Sequence, residues 1–280
     1  MLQSSVTPNA ARKIVQRTKG HGHGPIRRLV SPSGLGAVLK PFVFLDLFES
    51  TSSTAFSGFG LHPHSGIATA TYLFEGGVRY EDTSGASGIL PAGGLEWFKA
   101  AHGAWHGGGP TREGNARGFQ LWLALPPEQE LGSVESTYLS AEEIPQVGPA
   151  RLLLGNSGGA VSSIAASGSM NYLAVRLKAG EAWQYTPPRD HTIGWAALSA
   201  GGLVLPDKVQ AGELVIFNSS AAAIDFRADS DAEFVVGSAA PHRHDLVLGH
   251  YSVHTSPESL EAGERRIVEI RRRLEREGRL

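Results

Sequence analysis

No cysteine occurs in the chain. Disulfides, thiolate nucleophiles and thiolate metal ligands are therefore excluded. Any metal held by side chains must be held by imidazole or oxygen. Charge of either sign is also in short supply. The 25 Lys and Arg against 27 Asp and Glu leave a formal net charge of −2 with the histidines neutral. No global basic field exists to draw the chain onto nucleic acid, so no direct nucleic-acid partner is expected. No stretch approaches the roughly 18 consecutive apolar residues of a membrane-crossing helix. The first residues show no apolar run followed by a small-residue cleavage site. The expectation is a soluble, cytoplasmic protein with no membrane partner.

Glycine is what the chain has in excess, at 35 of 280 residues, together with 16 prolines; about 7% glycine is typical. Many tight turns and many short strands follow from that composition. PFVFLDLF (41–48) reads as an apolar strand. TATYLF (69–74), rich in β-branched and aromatic residues, is followed by Gly76-Gly77 and then VRYED. That order predicts a strand, a tight turn and a second strand. GFQLWLAL (118–125) is a further strand. PPEQELGSVESTYLSAEEIP (126–145) breaks the texture with prolines, acids and no strand periodicity, and reads as a linker. A second β-rich block starts near Arg151. From Ser256 the pattern becomes helical: Leu260, Ile267, Ile270 and Leu274 recur at helical spacing, with Ser256 or Ser259 as the cap.

LHPHSG (61–66) carries the chemistry. Residues two apart on a strand face the same way, so His62 and His64 can aim at one point. Neutral imidazole suits Fe, Zn, Ni or Cu. AHGAWHGGGP (101–110) adds His102 and His106 about forty residues later, where the chain could return to face the first pair. Other histidines, in GHGHGP (20–25), PHRHD (241–245) and at 191, 250 and 254, read as surface or packing residues.

The order G-x-H-P-H-x-G, TYLFEGG, YEDTSG and LEWFKAAHGAWH resembles the first half of a pirin, with PFVFLDLF before it and RGFQLWLALP after it. YSVHTSPESLEAG and the basic helix behind it are similar to the pirin C-terminus. The resemblance implies an all-β bicupin: two antiparallel β-barrel (jelly-roll) domains with a C-terminal helix. The expected division is a mobile arm over 1–24, an N-terminal cupin with the metal site over 25–126 and a linker over 127–145. A C-terminal cupin follows over 146–247, then a tail and helix packing on the barrels over 248–280. It implies His62, His64 and His106 as ligands of one divalent metal, Fe(II) favoured, with Ni, Zn, Cu and Mn as alternatives.

The sequence departs from the family pattern at three places. The family's carboxylate ligand falls on Gly108, the glutamate of the general cupin motif falls on Ala68, and an arginine position is His102. His102 is thus the candidate replacement ligand or catalytic base, and Glu96 the weaker candidate at the far end of its strand. Phe44, Trp97 and Trp105 are candidate barrel-lining aromatics. Three functional readings stand at this point. One is a dioxygenase of the quercetin 2,3-dioxygenase type acting on a small aromatic, flavonol-like molecule. The second is a metal-dependent regulatory protein with a protein partner, and the third is a metal-free degenerate cupin.

Overall fold

The computed structural model describes residues 12–51, 58–111, 115–205 and 207–280. The chain is an all-β bicupin with a C-terminal helix. In the first half, a sheet runs Glu135–Leu139, Leu95–Lys99, Ile67–Asp82, Ala116–Ala124, Phe42–Ser50, Ile26–Val30 and His21–His23 in spatial order. Phe59–His64, Ala104–Pro110 and Ser87–Pro91 branch from it through Ile67–Asp82 and close the barrel. In the second half, a seven-stranded sheet centred on Ala232–Ala239 faces a four-stranded sheet centred on Ile224–Ala228 and Gly202–Leu205.

Period-two alternation explains where the core sits. On Phe42–Ser50, Phe42, Leu45 and Leu47 join a core shared by both halves, which also contains Tyr72, Phe119 and Leu121 from the first half and Leu154, Tyr172 and Trp195 from the second. The intervening Phe44, Asp46 and Phe48 turn into the first barrel. The second barrel alternates likewise. Its interior is filled by Leu152, Leu173, Val175, Phe226 and Phe234, all fully or almost fully buried. Each such side chain contributes roughly 1.5–3 kcal/mol on leaving water. The second barrel is therefore filled by side chains, whereas the first retains a cavity with the histidines and acids set among apolar walls.

Three segments differ from the sequence expectation. Gly76-Gly77 does not close a hairpin: Ile67–Asp82 is one 16-residue strand. It bends at Gly76, whose φ of +75° and 1.8 Å approach of the Asn115 carbonyl oxygen to a would-be Cβ admit only glycine. The bend lets one strand serve both layers of the barrel. The segment read as a linker supplies the strand Glu135–Leu139, paired with Leu95–Lys99. The described part of the arm also forms strands: Ile14–Thr18 pairs with Leu214–Phe217 of the second half, and His21–His23 with Ile26–Val30.

Candidate metal centre

Phe59–His64 and Ala104–Pro110 run antiparallel with His62 opposite His106 and His64 opposite Ala104. That register brings three imidazoles to one point inside the first barrel. Ring centroids lie 5.0 Å (62–64), 4.7 Å (62–106) and 5.1 Å (64–106) apart. One nitrogen from each ring falls within 4.8 Å of the others, a group that could hold a metal ion.

The surroundings decide which nitrogen. His62 Nδ1 is 2.9 Å from the Gly60 carbonyl oxygen and His64 Nδ1 is 3.0 Å from that of Tyr251. His106 Nδ1 is 3.3 Å from Glu96 Oε1. Carbonyl and carboxylate oxygens only accept, so each Nδ1 carries the proton and each Nε2 keeps its lone pair. Nε2 of His64 and of His106 are buried with no hydrogen-bond partner. An unsatisfied buried nitrogen costs about 1–3 kcal/mol, and two of them facing a third imidazole fit a divalent cation. Burial, reinforced by the neighbouring His106, lowers the His62 pKa to about 4 and holds His64 well below the usual histidine range. Both are neutral at pH 7, as ligation requires.

Phe98 and Glu96 fix the third ring. Both come from the inward face of Leu95–Lys99, whose Leu95 and Trp97 point the other way into the shared core. The Phe98 ring stacks on His106 at 4.4 Å and 7°. Burial raises the Glu96 pKa, but its contacts with His106, with Thr71 and with the field of His62 together outweigh that and keep it below the usual carboxylate range.

A cavity opens from the histidines. His62, His106 and Glu96 stand at one end, and Phe48, Phe59, Val78, Tyr80, Asp46 and Gln120 are on its walls. Asp46 is held by a bidentate bond from Arg28, at 2.7 and 3.0 Å. The Arg28 guanidinium in turn lies 4.0 Å over the Phe44 ring. Such a space suits a flat, mostly apolar molecule with polar substituents at the metal end.

The structure brings His62, His64 and His106 together and leaves His102 out. His102 is exposed on the turn before Ala104–Pro110 and is not among the converging ligand atoms. Gly108 has no side chain to offer, and a Cβ there would meet the Arg79 carbonyl oxygen at 2.5 Å. Of the three candidate aromatics, only Phe44 faces the barrel interior, stacked on Trp122 at 4.0 Å. Trp97 enters the shared core, and Trp105 points outward to the helix Pro257–Arg276, its Nε1 donating to the Ile267 carbonyl at 3.1 Å. The sequence reading missed Tyr251, whose contact with His64 spans 187 residues. It also weighed Glu96 only as a ligand, whereas the structure places its carboxylate against His106 Nδ1.

Residues 25–123 match the pirin family model. A Pseudomonas aeruginosa protein provisionally named quercetin 2,3-dioxygenase is 40% identical over 109 residues, 38% of each chain. The chain thus spans under two fifths of that relative's length in the match. Among solved structures, a quercetin 2,3-dioxygenase from Acinetobacter baumannii superposes with a TM-score of 0.82 at 22% identity, covering 94% of this chain and 98% of that one. The Escherichia coli pirin YhhW in complex with nickel(II) gives 0.63 at 22% identity, over 82% and 98%. The fold is thereby shared almost end to end, and the match to the pirin family model lies over the strands bearing the three histidines.

Proposed function

We propose that this protein binds one divalent metal, Fe(II) by preference, through Nε2 of His62, His64 and His106, and acts as a dioxygenase on a flavonol-like aromatic. The pair of buried, unpartnered Nε2 atoms aimed at a third imidazole carries this reading. Three neutral histidines leave coordination positions free, and a bound iron would supply the redox and Lewis-acid chemistry that oxygen activation needs. The chain's own residues bind and exclude water. Phe48, Phe59, Val78 and Tyr80 would hold the flat rings, while His62, His106 and Glu96 face the reacting end. The names of the Pseudomonas and Acinetobacter relatives point to the same chemistry.

The test is metal content by mass spectrometry on untagged protein, followed by oxygen uptake with quercetin. Wild type should carry about one metal per chain and His106→Ala almost none; oxygen uptake should need both metal and flavonol. No metal after reloading with ferrous iron overturns the reading. One observation favours a second reading. The ligand carboxylate expected at 108 is absent and its place is closed by backbone. If metal binds but no oxygen is consumed, the chain is a metal-dependent regulatory protein whose partner is another protein.

A further inference from the structure

The centre has lost its expected carboxylate at 108, yet a carboxylate still stands beside it. Glu96 is 7% exposed and His106 3% exposed. Their contact joins adjacent regions of the barrel wall through side chains that both turn inward. Other carboxylates near the cavity are otherwise engaged. Asp46 is neutralised by the Arg28 fork. Asp82, opposite His106 in the strand register, accepts from Ser84, Ser136 and Tyr138. Among the described residues no lysine or arginine pairs with Glu96; its hydrogen-bond partner on the cluster is His106.

We infer that Glu96 is the positioning carboxylate of this centre, holding His106 in the tautomer that presents Nε2 to the metal and supplying from a neighbouring strand the negative charge that position 108 cannot. The inference rests on the metal reading above. It is a contact through the ring and not a direct ligand: Glu96 meets Nδ1, while the cluster of converging ligand atoms comprises the three histidines alone. Charge explains why such a group matters. Three neutral imidazoles leave a divalent ion its full +2 in a buried site, where desolvation is expensive. A carboxylate hydrogen-bonded behind one ligand offsets part of that charge and raises the basicity of the ring. Without Glu96, the Nδ1–H of His106 would be a buried donor with no acceptor, and the Nε2–H tautomer would compete.

Two measurements test this. The first uses metal-free wild type at pH 8: long-range 1H–15N correlation spectra of the histidine rings. His106 should carry its proton on Nδ1, with Nε2 unprotonated; a proton on Nε2 overturns the inference whether or not metal binds. The second is calorimetric titration with nickel(II) of wild type, Glu96→Gln and Glu96→Met. Gln keeps an acceptor but removes the charge, and Met removes both. Affinity should fall in that order, by about 10- to 100-fold for Met, and Met should lose the single His106 tautomer. Wild-type affinity in both variants overturns the inference. A merely structural glutamate would lower the melting temperature and leave affinity and tautomer unmoved. Wild type that takes up no metal overturns the metal reading itself, and the tautomer then tests the role of Glu96 by itself. Metal bound with Glu96-dependent affinity but no oxygen uptake would instead sink only the dioxygenase reading.

Discussion

A glutamate written in at position 108 would have no room for its first carbon. The Cβ would lie 2.5 Å from the Arg79 carbonyl oxygen, a backbone atom that cannot swing aside. Gly108→Glu should therefore not repair the centre. We expect a stability loss of about 1–3 kcal/mol, typical of overpacking, with no gain in nickel affinity; denaturant unfolding and calorimetry read the two quantities. Higher affinity at unchanged stability would show that the strand yields. That three histidines could converge was legible because His62 and His64 are two apart on one strand and His106 follows a Gly-x-x-His pattern. His102 stands apart from the cluster because it lies four residues before His106 across a turn, where strand alternation does not carry through. The contact of Glu96 with His106 was not legible because it depends on the register of two strands and on the direction of each side chain, neither of which is written in either segment alone.

At the scale of elements, the helix Pro257–Arg276 is a clamp behind the histidine-bearing strands. Ser256 caps it, its hydroxyl accepting from the Ser259 amide at 3.1 Å. Ile270 and Leu274 bury against Trp105, the residue beside His106. Leu274→Ala should cost about 2–5 kcal/mol, as for other fully buried leucines, and Ser256→Ala about 1 kcal/mol. Urea unfolding monitored by tryptophan fluorescence would measure both. A negligible effect of Leu274→Ala would mean that the helix is not part of the cooperative fold. The cap and the apolar stripe were readable from the sequence because a helix declares itself locally. The strand Ile67–Asp82 was not, since the pair Gly76-Gly77 has the same composition in a hairpin turn as in a bend. The choice is made by the partner strands: Ala116–Ala124 and Leu95–Lys99 pair with the part before the bend, Ser87–Pro91 and Ala104–Pro110 with the part after it. Glu135–Leu139 was hidden for a similar reason, being an edge strand of mixed polarity of which only Leu139 enters the shared core.

At the scale of the whole molecule, the two barrels treat buried imidazole in opposite ways. In the second, His191 has both ring nitrogens bonded to hydroxyls, Nδ1 to Ser238 at 2.8 Å and Nε2 to Ser169 at 2.9 Å. In the first, His64 and His106 keep a free Nε2. No helix among the described residues is long and apolar enough to cross a membrane. The two barrels meet across the core to which both halves contribute.

The buried histidines give the whole fold a pH dependence of definite sign. Burial lowers the pKa of His62 to about 4 and also lowers those of His64, His191 and His254. Unfolded, each would titrate near 6.5. Between that value and its lowered native one, each group binds more protons unfolded than folded, so stability rises with pH and is lost as pH falls. The melting temperature of metal-free protein should therefore fall steadily from pH 7.5 to 5. Metal adds stability by mass action, about 2.7 kcal/mol at a hundred times its Kd. Protons compete for the same nitrogens. The gap between metal-loaded and metal-free melting curves should consequently be widest at pH 7.5 and close as the pH falls below about 6. A gap that stays constant down to pH 5 would place the metal on groups other than these imidazoles, and a flat metal-free profile would mean that the histidines are hydrated rather than buried.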